Sequence, residues 1–559
     1  MLSVADGQVR FRHPLVRSGV LQSETLTRRM AANAALAEVL TGEPYRRTWH
    51  RAQSIVGPDD EVADELEANA SIALSRGAVM SAVGDLQCSA RLTSIPAVRG
   101  HRLLMAAEQA FGLGRVDLVH HLVREAAGTD LSELDQARTQ WLREIFDDGV
   151  PGDSVRVLEL CDSARQADQA GDRDLALKLL LGAALRCWWA DTGPAARARV
   201  VEVAGELQGA VADPRYAAVL AVAEPVRQCA VVMDLLSGFS GTHAGDADAL
   251  YVLGMAAHAI GDTVRSLDFS SRAERTLRET GRIGLLSQVL SMQVMDLLEL
   301  GDWDRAAAAA EEGVRLAAET GQPIWRAGTL VCDALNHAFR GQTEQAFRYA
   351  AEAELVLSQR RLNDLLCCVA LARGATLAST GQHTAAYREF RRMFEPGDPC
   401  FHQRERYDGV MFLADAAVRA GQRDDARQVV GGLELLAAAT PAPQLHIHLA
   451  YARAVLADDS EAGPFYADLM ARDLSRWPWA GARVALAYGR WLLHQGRYRA
   501  SEEALRPLPD TFERIGATDW ARLARSEMLL AGAGEPEPGE PEPRDHFPAG
   551  GGGICHPTS

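Results

Sequence analysis

Glycine followed by a polar residue recurs every 40 residues through the middle of this chain, and no other feature restricts its fold as much. The pairs are Gly261-Asp262, Gly301-Asp302, Gly341-Gln342, Gly381-Gln382 and Gly421-Gln422. Five residues after each glycine stands a small one: Ser266, Ala306, Ala346, Ala386 and Ala426. Seven residues before stand Gly254, Val294, Ala334, Gly374 and Ala414, again mostly small. Glycine takes the left-handed conformation that ends a helix, and the polar residue after it starts the next one. Apolar or small residues then follow at +5, +9, +12 and often +16, as in Ala346, Ala350, Ala353 and Leu357, which marks one helical face. Each period therefore predicts a hairpin of two closely packed antiparallel helices, stacked on its neighbours into a solenoid.

Weaker copies extend the pattern, with Gly77, Gly114 and Gly171 upstream and Gly496, followed by Ser501, downstream. Ala457 replaces the glycine in one copy. The register is poor between about 185 and 250, where Pro194, Pro214 and Pro225 fall. Gly-Asp-x-x-x-Ala with a small residue seven before it resembles the tetratricopeptide turn. The usual period there is about 34 residues, so the longer step implies longer helices. Most consensus Tyr and Trp positions are replaced by Ala, Leu or His.

Charge and composition narrow the function. Across 559 residues, 58 Lys and Arg oppose 75 Asp and Glu, a net −17, which repels phosphate backbones and argues against nucleic-acid binding by this chain. Lys178 is the one lysine, in an apolar helical run without a glycine loop before it, which speaks against P-loop, Schiff-base and lysine-base chemistry. Asp6 and Arg10 interrupt the N-terminus where a secretory signal needs an apolar core, and no apolar run of 18 occurs. The nine cysteines are scattered without a CxxC pair. We expect a cytoplasmic protein with reduced thiols in its core, no membrane segment, no cofactor and no metal.

The first 51 residues carry a local charge of +4 within this acidic chain. Gln8–His13 alternates like a short strand, and Pro14 opens a helix expected over Leu15–Leu40. Phe11-Arg-His-Pro-Leu-Val-Arg17, Arg28-Arg29, Ala35-Leu-Ala37 and Pro44-Tyr-Arg-Arg-Thr-Trp-His50 resemble one stretch of the large ATP-binding regulators of the LuxR type. These are common in actinobacteria and related in architecture to the maltose-regulon activator. The likeness continues through Val56-Gly-Pro-Asp-Asp-Glu-Val62. It implies the middle of such a regulator: a winged-helix-like remnant over 1–55, a tetratricopeptide-like array over 56–530, and a disordered Pro/Glu/Gly-rich tail over 531–559. The resemblance extends to neither the family's ATPase nor its DNA-reading helix-turn-helix, so this chain is expected to lack both. The expected fold is thus all-α, a right-handed α-solenoid behind that small remnant. The resemblance gives His13 a nucleotide-sensing role only where an ATPase domain is present; its residues alone read as a strand-to-helix turn.

Other chemistry fails on spacing. Asp59-Asp60-Glu61 and Asn363-Asp364 miss the metal-binding patterns of helical cyclases. His446 and His448, two apart on a helix, point about 200° apart and cannot share an ion. Ser240 lacks the GxSxG context. Trp477 and Trp479, with Phe394, Phe401, Tyr407 and Phe412, are the aromatic concentrations, and either line a binding groove or fill core. The expected role is a non-enzymatic module of a LuxR-family regulator, binding a protein or small-molecule effector in the superhelix groove; the alternative is a free-standing scaffold. A homo-oligomer is compatible with both.

Overall fold

The computed structural model describes residues 2–5, 8–11, 19, 22–146, 154–239, 241, 243 and 245–532. His13, Pro14, Ser240 and the tail after 532 lie outside the described residues. The one sheet among the described residues is an antiparallel pair, Leu2–Ala5 with Gln8–Phe11, in which Leu2 faces Phe11 and Ala5 faces Gln8. The strand expected from Gln8 thus has a partner before it that the sequence did not suggest. The following helix is seen at Leu26–Val39, started by Thr25, whose hydroxyl accepts from the Arg28 N–H. Helix Pro44–Ser54 packs on the hairpin of Asp60–Ser75 and Val79–Leu92 through Ala52, Val62, Leu66 and Leu92, so the boundary drawn at 55 falls within one apolar cluster.

From Ala247 the chain is a run of helix pairs. Ala247–Ile260 joins Thr263–Thr280, Ile283–Glu299 joins Trp303–Glu319, and Pro323–Phe339 joins Thr343–Arg360. Asn363–Ser379 then joins His383–Arg392, and Val410–Ala420 joins Arg423–Ala437. The fold is an all-helical α-solenoid of hairpins, apart from that N-terminal β-pair. Gly261, Gly301, Gly341, Gly381 and Gly421 sit at the turns with φ of +78°, +75°, +76°, +78° and +69°. In each turn the N–H of the next residue reaches back to a carbonyl in the helix just ended, as from Asp302 to Leu297 and from Gln382 to Leu377, both 2.9 Å. This is the Schellman closure.

The same closure recurs midway, at Gly281, Gly321 and Arg361, so left-handed caps stand every 20 residues. The forty-residue reading missed this second series because its third member is an arginine, held at φ +52°. Within the second helices, Ala306, Ala310, Gly313 and Ala317 are buried, as are Ala346, Ala350, Ala353, Leu357, Ala386 and Ala426. They form the seam against the first helices.

The solenoid coils tightly enough for successive turns to touch. The Thr263 hydroxyl donates to Gln444 Oε1 at 2.6 Å, 181 residues on, and the Gln403 amide donates to the Ala223 carbonyl at 3.4 Å, 180 residues away. Leu445 lies against Gly261, Pro478 and Ile515 against Gly301, and Asp519 against Gly341. One coil therefore spans about four and a half repeats. First helices are pressed between neighbours in both directions, which is why Ile283–Glu299 is buried on nearly every side. The interior of the superhelix is largely filled.

One repeat breaks the rhythm. Helix His383–Arg392 stops short, and Pro396 and Pro399 follow, residues that break a helix interior. The chain turns inward through residues 393–409 and ends in the 3-10 turn Glu405–Gly409.

Candidate functional site

Residues 402–408 fill the superhelix interior with charge. His402, Arg404, Glu405 and Asp408 are all buried. His402 stands edge-on to Trp188, ring centroids 4.6 Å apart, and its Nδ1 accepts from the N–H groups of Arg404 and Glu405. Arg404 donates to Asp408 at 3.0 Å, and its guanidinium lies against Gly261. His448 donates through Nδ1 to the Tyr407 carbonyl at 3.1 Å. Nearby, His258 donates through Nδ1 to Asp296 at 3.0 Å, and Ser266 donates to the other Asp296 oxygen at 2.5 Å.

Burial governs how these groups titrate. It pushes Glu299 and Glu405 up, with the Asp408 carboxylate adding to both, and pushes Asp364 up to about 8. Burial opposes charge on His258, but Asp296 outweighs it and lifts the ring to about 9. Burial, with Arg404 adding, depresses His402 to about 3, which fits an Nδ1 that is already accepting. His448 falls to about 4, burial leading.

The stability consequences have definite signs. The His258 contribution is complete below its unfolded pKa of about 6.5 and is lost as pH rises through 9. Asp364 keeps a proton in the folded chain that the unfolded chain has released, so its penalty also grows up to pH 8. His402 and His448 act oppositely, and the stability they hold above about 6.5 falls as pH drops toward 4 and 3. Thermal stability should decline between pH 6.5 and 9, by on the order of 1–3 kcal/mol. Scanning calorimetry across that range checks this, and a flat or rising Tm contradicts it.

Two large clefts open among the described residues, sharing no lining residue. The first, about 830 Å³, is walled by Trp141, Trp189, Tyr251, Met255 and Trp325 among others. Its five Lys and Arg side chains are matched by five Asp and Glu side chains, several of them directly paired. Lys178 bridges Glu108 at 2.6 Å and Asp174 at 2.8 Å, and its ammonium lies 5.3 Å from the Trp141 ring centroid. Arg215 bridges Asp174 and Asp213, and Arg282 bridges Asp248, each at 2.7 Å.

The second cleft, about 820 Å³, lies on the first helices of the later repeats. Asp415 and Arg419 come from Val410–Ala420, and Tyr451 from Pro443–Leu456. Arg483, Ala487, Arg490 and Trp491 share one face of Pro478–His494, and Trp520 comes from Thr518–Gly532. Arg483 is 1% exposed and donates to Asp415 at 2.7 Å, while the Tyr451 hydroxyl donates to the other Asp415 oxygen at 2.7 Å. The guanidinium carbon lies 3.9 Å from the Phe412 ring centroid. Its Nε has no hydrogen-bond partner.

Trp477 and Trp479 line neither cleft, which corrects their reading as groove contacts. Trp479 is core, its ring centroid 4.9 Å from that of Trp303 and 5.0 Å from that of Trp520; Trp477 is buried in a neighbouring cluster. The groove aromatics were missed because the sequence offers no pairing of residues a coil apart. His446 and His448 bond separate backbone carbonyls. Among the described residues no three His, Cys, Asp or Glu side chains are grouped to hold a metal, no helix is long and apolar enough to cross a membrane, and the eight cysteines are buried and free.

No family model matches the chain, and no curated protein matches it. Solved structures do. A Rap protein complexed with competence and sporulation factor is 13% identical, covering 78% of this chain and 98% of its own, with a TM-score of 0.42. The APC/C hetero-tetramer Cut9–Hcn1 is 12% identical, with coverages of 85% and 94% and a TM-score of 0.42. The apo quorum sensor NprR from B. thuringiensis is 14% identical, with coverages of 65% and 99% and a TM-score of 0.34.

Proposed function

We propose that this chain is a non-enzymatic, effector-sensing helical-repeat module, the counterpart of the sensor array in the LuxR-type regulators that its N-terminal residues resemble. One observation carries the reading: a tightly coiled solenoid keeps two separate interior clefts, each within the size range of small-molecule sites and each walled by aromatic side chains on helix faces. The coil-to-coil contacts at Gly261, Gly301 and Gly341 supply a route for the response. An effector wedged between inner helices alters how one turn seats on the next, and partner domains read that change. Buried thiols suit a binder rather than a nucleophile, since desolvation pushes Cys187 up to about 11 and Cys161 to about 12.

Differential scanning fluorimetry of the full chain against a library of metabolites and short peptides tests this. We expect at least one saturable rise in Tm. It should vanish in Gly182→Phe, which obstructs the first cleft, or in Ala487→Trp, which obstructs the second. No saturable rise from any member, or rises indifferent to both substitutions, would overturn the proposal.

A further inference from the structure

The second cleft differs from the first in the balance of its charges. Arg419, Arg423, Arg483, Arg490 and Arg522 line it against Asp415, Asp459 and Asp519, an excess of cations in a chain whose net charge is −17. Arg490 pairs with Glu527 at 2.9 Å, Arg522 pairs with Asp519, and Arg483 pairs with Asp415. Arg419 and Arg423 have no carboxylate within ion-pair distance among the described residues. Arg419 donates to the ring Nε2 of His383 at 3.4 Å, and Arg423 donates to the Ala457 carbonyl at 2.9 Å. Because an arginine only donates, His383 accepts at Nε2 and carries its proton on Nδ1, an atom that is buried and has no partner. The Arg483 Nε is a second buried donor in the same state.

We propose, resting on the module reading above, that this cleft receives a small organic carboxylate carried on an aromatic body. Arg419 and Arg423 neutralise the carboxylate. The planar guanidinium fork matches a carboxylate. Tyr466, Trp491 and Trp520 supply flat walls for the ring. They are held before any ligand arrives: the Trp491 indole N–H donates to the Asp459 carbonyl at 3.1 Å, and the Trp491 and Tyr466 ring centroids lie 5.5 Å apart. The first cleft lacks this excess: its five Lys and Arg side chains are matched by five Asp and Glu side chains in the same lining.

Isothermal titration calorimetry on the full chain tests the assignment, using 2-naphthoate and its neutral isostere 2-naphthamide. Naphthoate should bind at least tenfold more tightly than the amide. The double substitution Arg419→Gln with Arg423→Gln should cost naphthoate tenfold or more and leave the amide within twofold. Trp325→Ala, in the first cleft, should change neither by more than twofold. Equal affinity for acid and amide, indifference to the two arginines, or no binding of either compound overturns the inference. Naphthoate binding that is lost in Trp325→Ala instead moves the ligand to the first cleft, which sinks this assignment and leaves the module reading standing.

Discussion

Replacing Arg404 with methionine is expected to destabilise the solenoid by about 3–5 kcal/mol, the usual consequence of stripping a buried charge of its partner. Methionine keeps most of the volume, so the loss is electrostatic and not a cavity. Arg404 is a buried cation set among Asp408, Glu405 and Glu299, and the two glutamates are already pushed up by burial. Without the guanidinium these carboxyls hold protons still more firmly in the folded chain, so its penalty relative to the unfolded chain, which has released them, grows as pH rises. The defect should therefore be smaller at pH 5.5 than at pH 8. Urea titration followed by helical circular dichroism measures both effects. A loss below about 1 kcal/mol, or a larger defect at the lower pH, would mean that residues 402–408 do not bind the coils together through charge.

Gly374→Ala should cost about 2 kcal/mol, although alanine favours helix by about 1 kcal/mol over glycine. Gly374 stands seven residues before its turn glycine and faces Phe390, nine residues after it. A methyl group there would overlap three carbons of the Phe390 ring, which is fully buried and cannot swing away. The same positions hold Ala334 with Ala350, and Val294 with Ala310. At the last clear repeat they hold Gly489 with Leu505, where a methyl would again meet the leucine. One position thus shrinks where its partner grows. Phe390→Ala alone should cost about 3–5 kcal/mol through the cavity it leaves. In that background Gly374→Ala should become neutral or stabilising, and additive losses in the double-mutant cycle would contradict the pairing.

The turns and the helix seams were legible because they are short-range chemistry. A left-handed cap needs glycine within a few residues of the helix it ends, and a buried face repeats every three or four positions. Gly261, Gly301, Gly341, Gly381 and Gly421, with Ala306, Ala346, Ala386 and Ala426 behind them, could be placed from spacing alone. Arg361 escaped because a cap can be forced on a non-glycine residue by the helices on either side. Trp479 escaped for the opposite reason: whether an aromatic at helical spacing faces a groove or a core depends on what arrives from elsewhere, here Trp303 and Trp520.

The sequence by itself determined the forty-residue hairpin, the face each helix buries and the small residues that let the pairs approach. Only the tertiary structure decided that one coil seats on the next about 180 residues later, that residues 393–409 plug the interior, and that the open space divides into a charge-balanced cleft and a cationic one. The reason is geometric. A small rotation between neighbouring hairpins, too slight to leave a mark on any single repeat, accumulates over four or five of them and sets which distant residues meet.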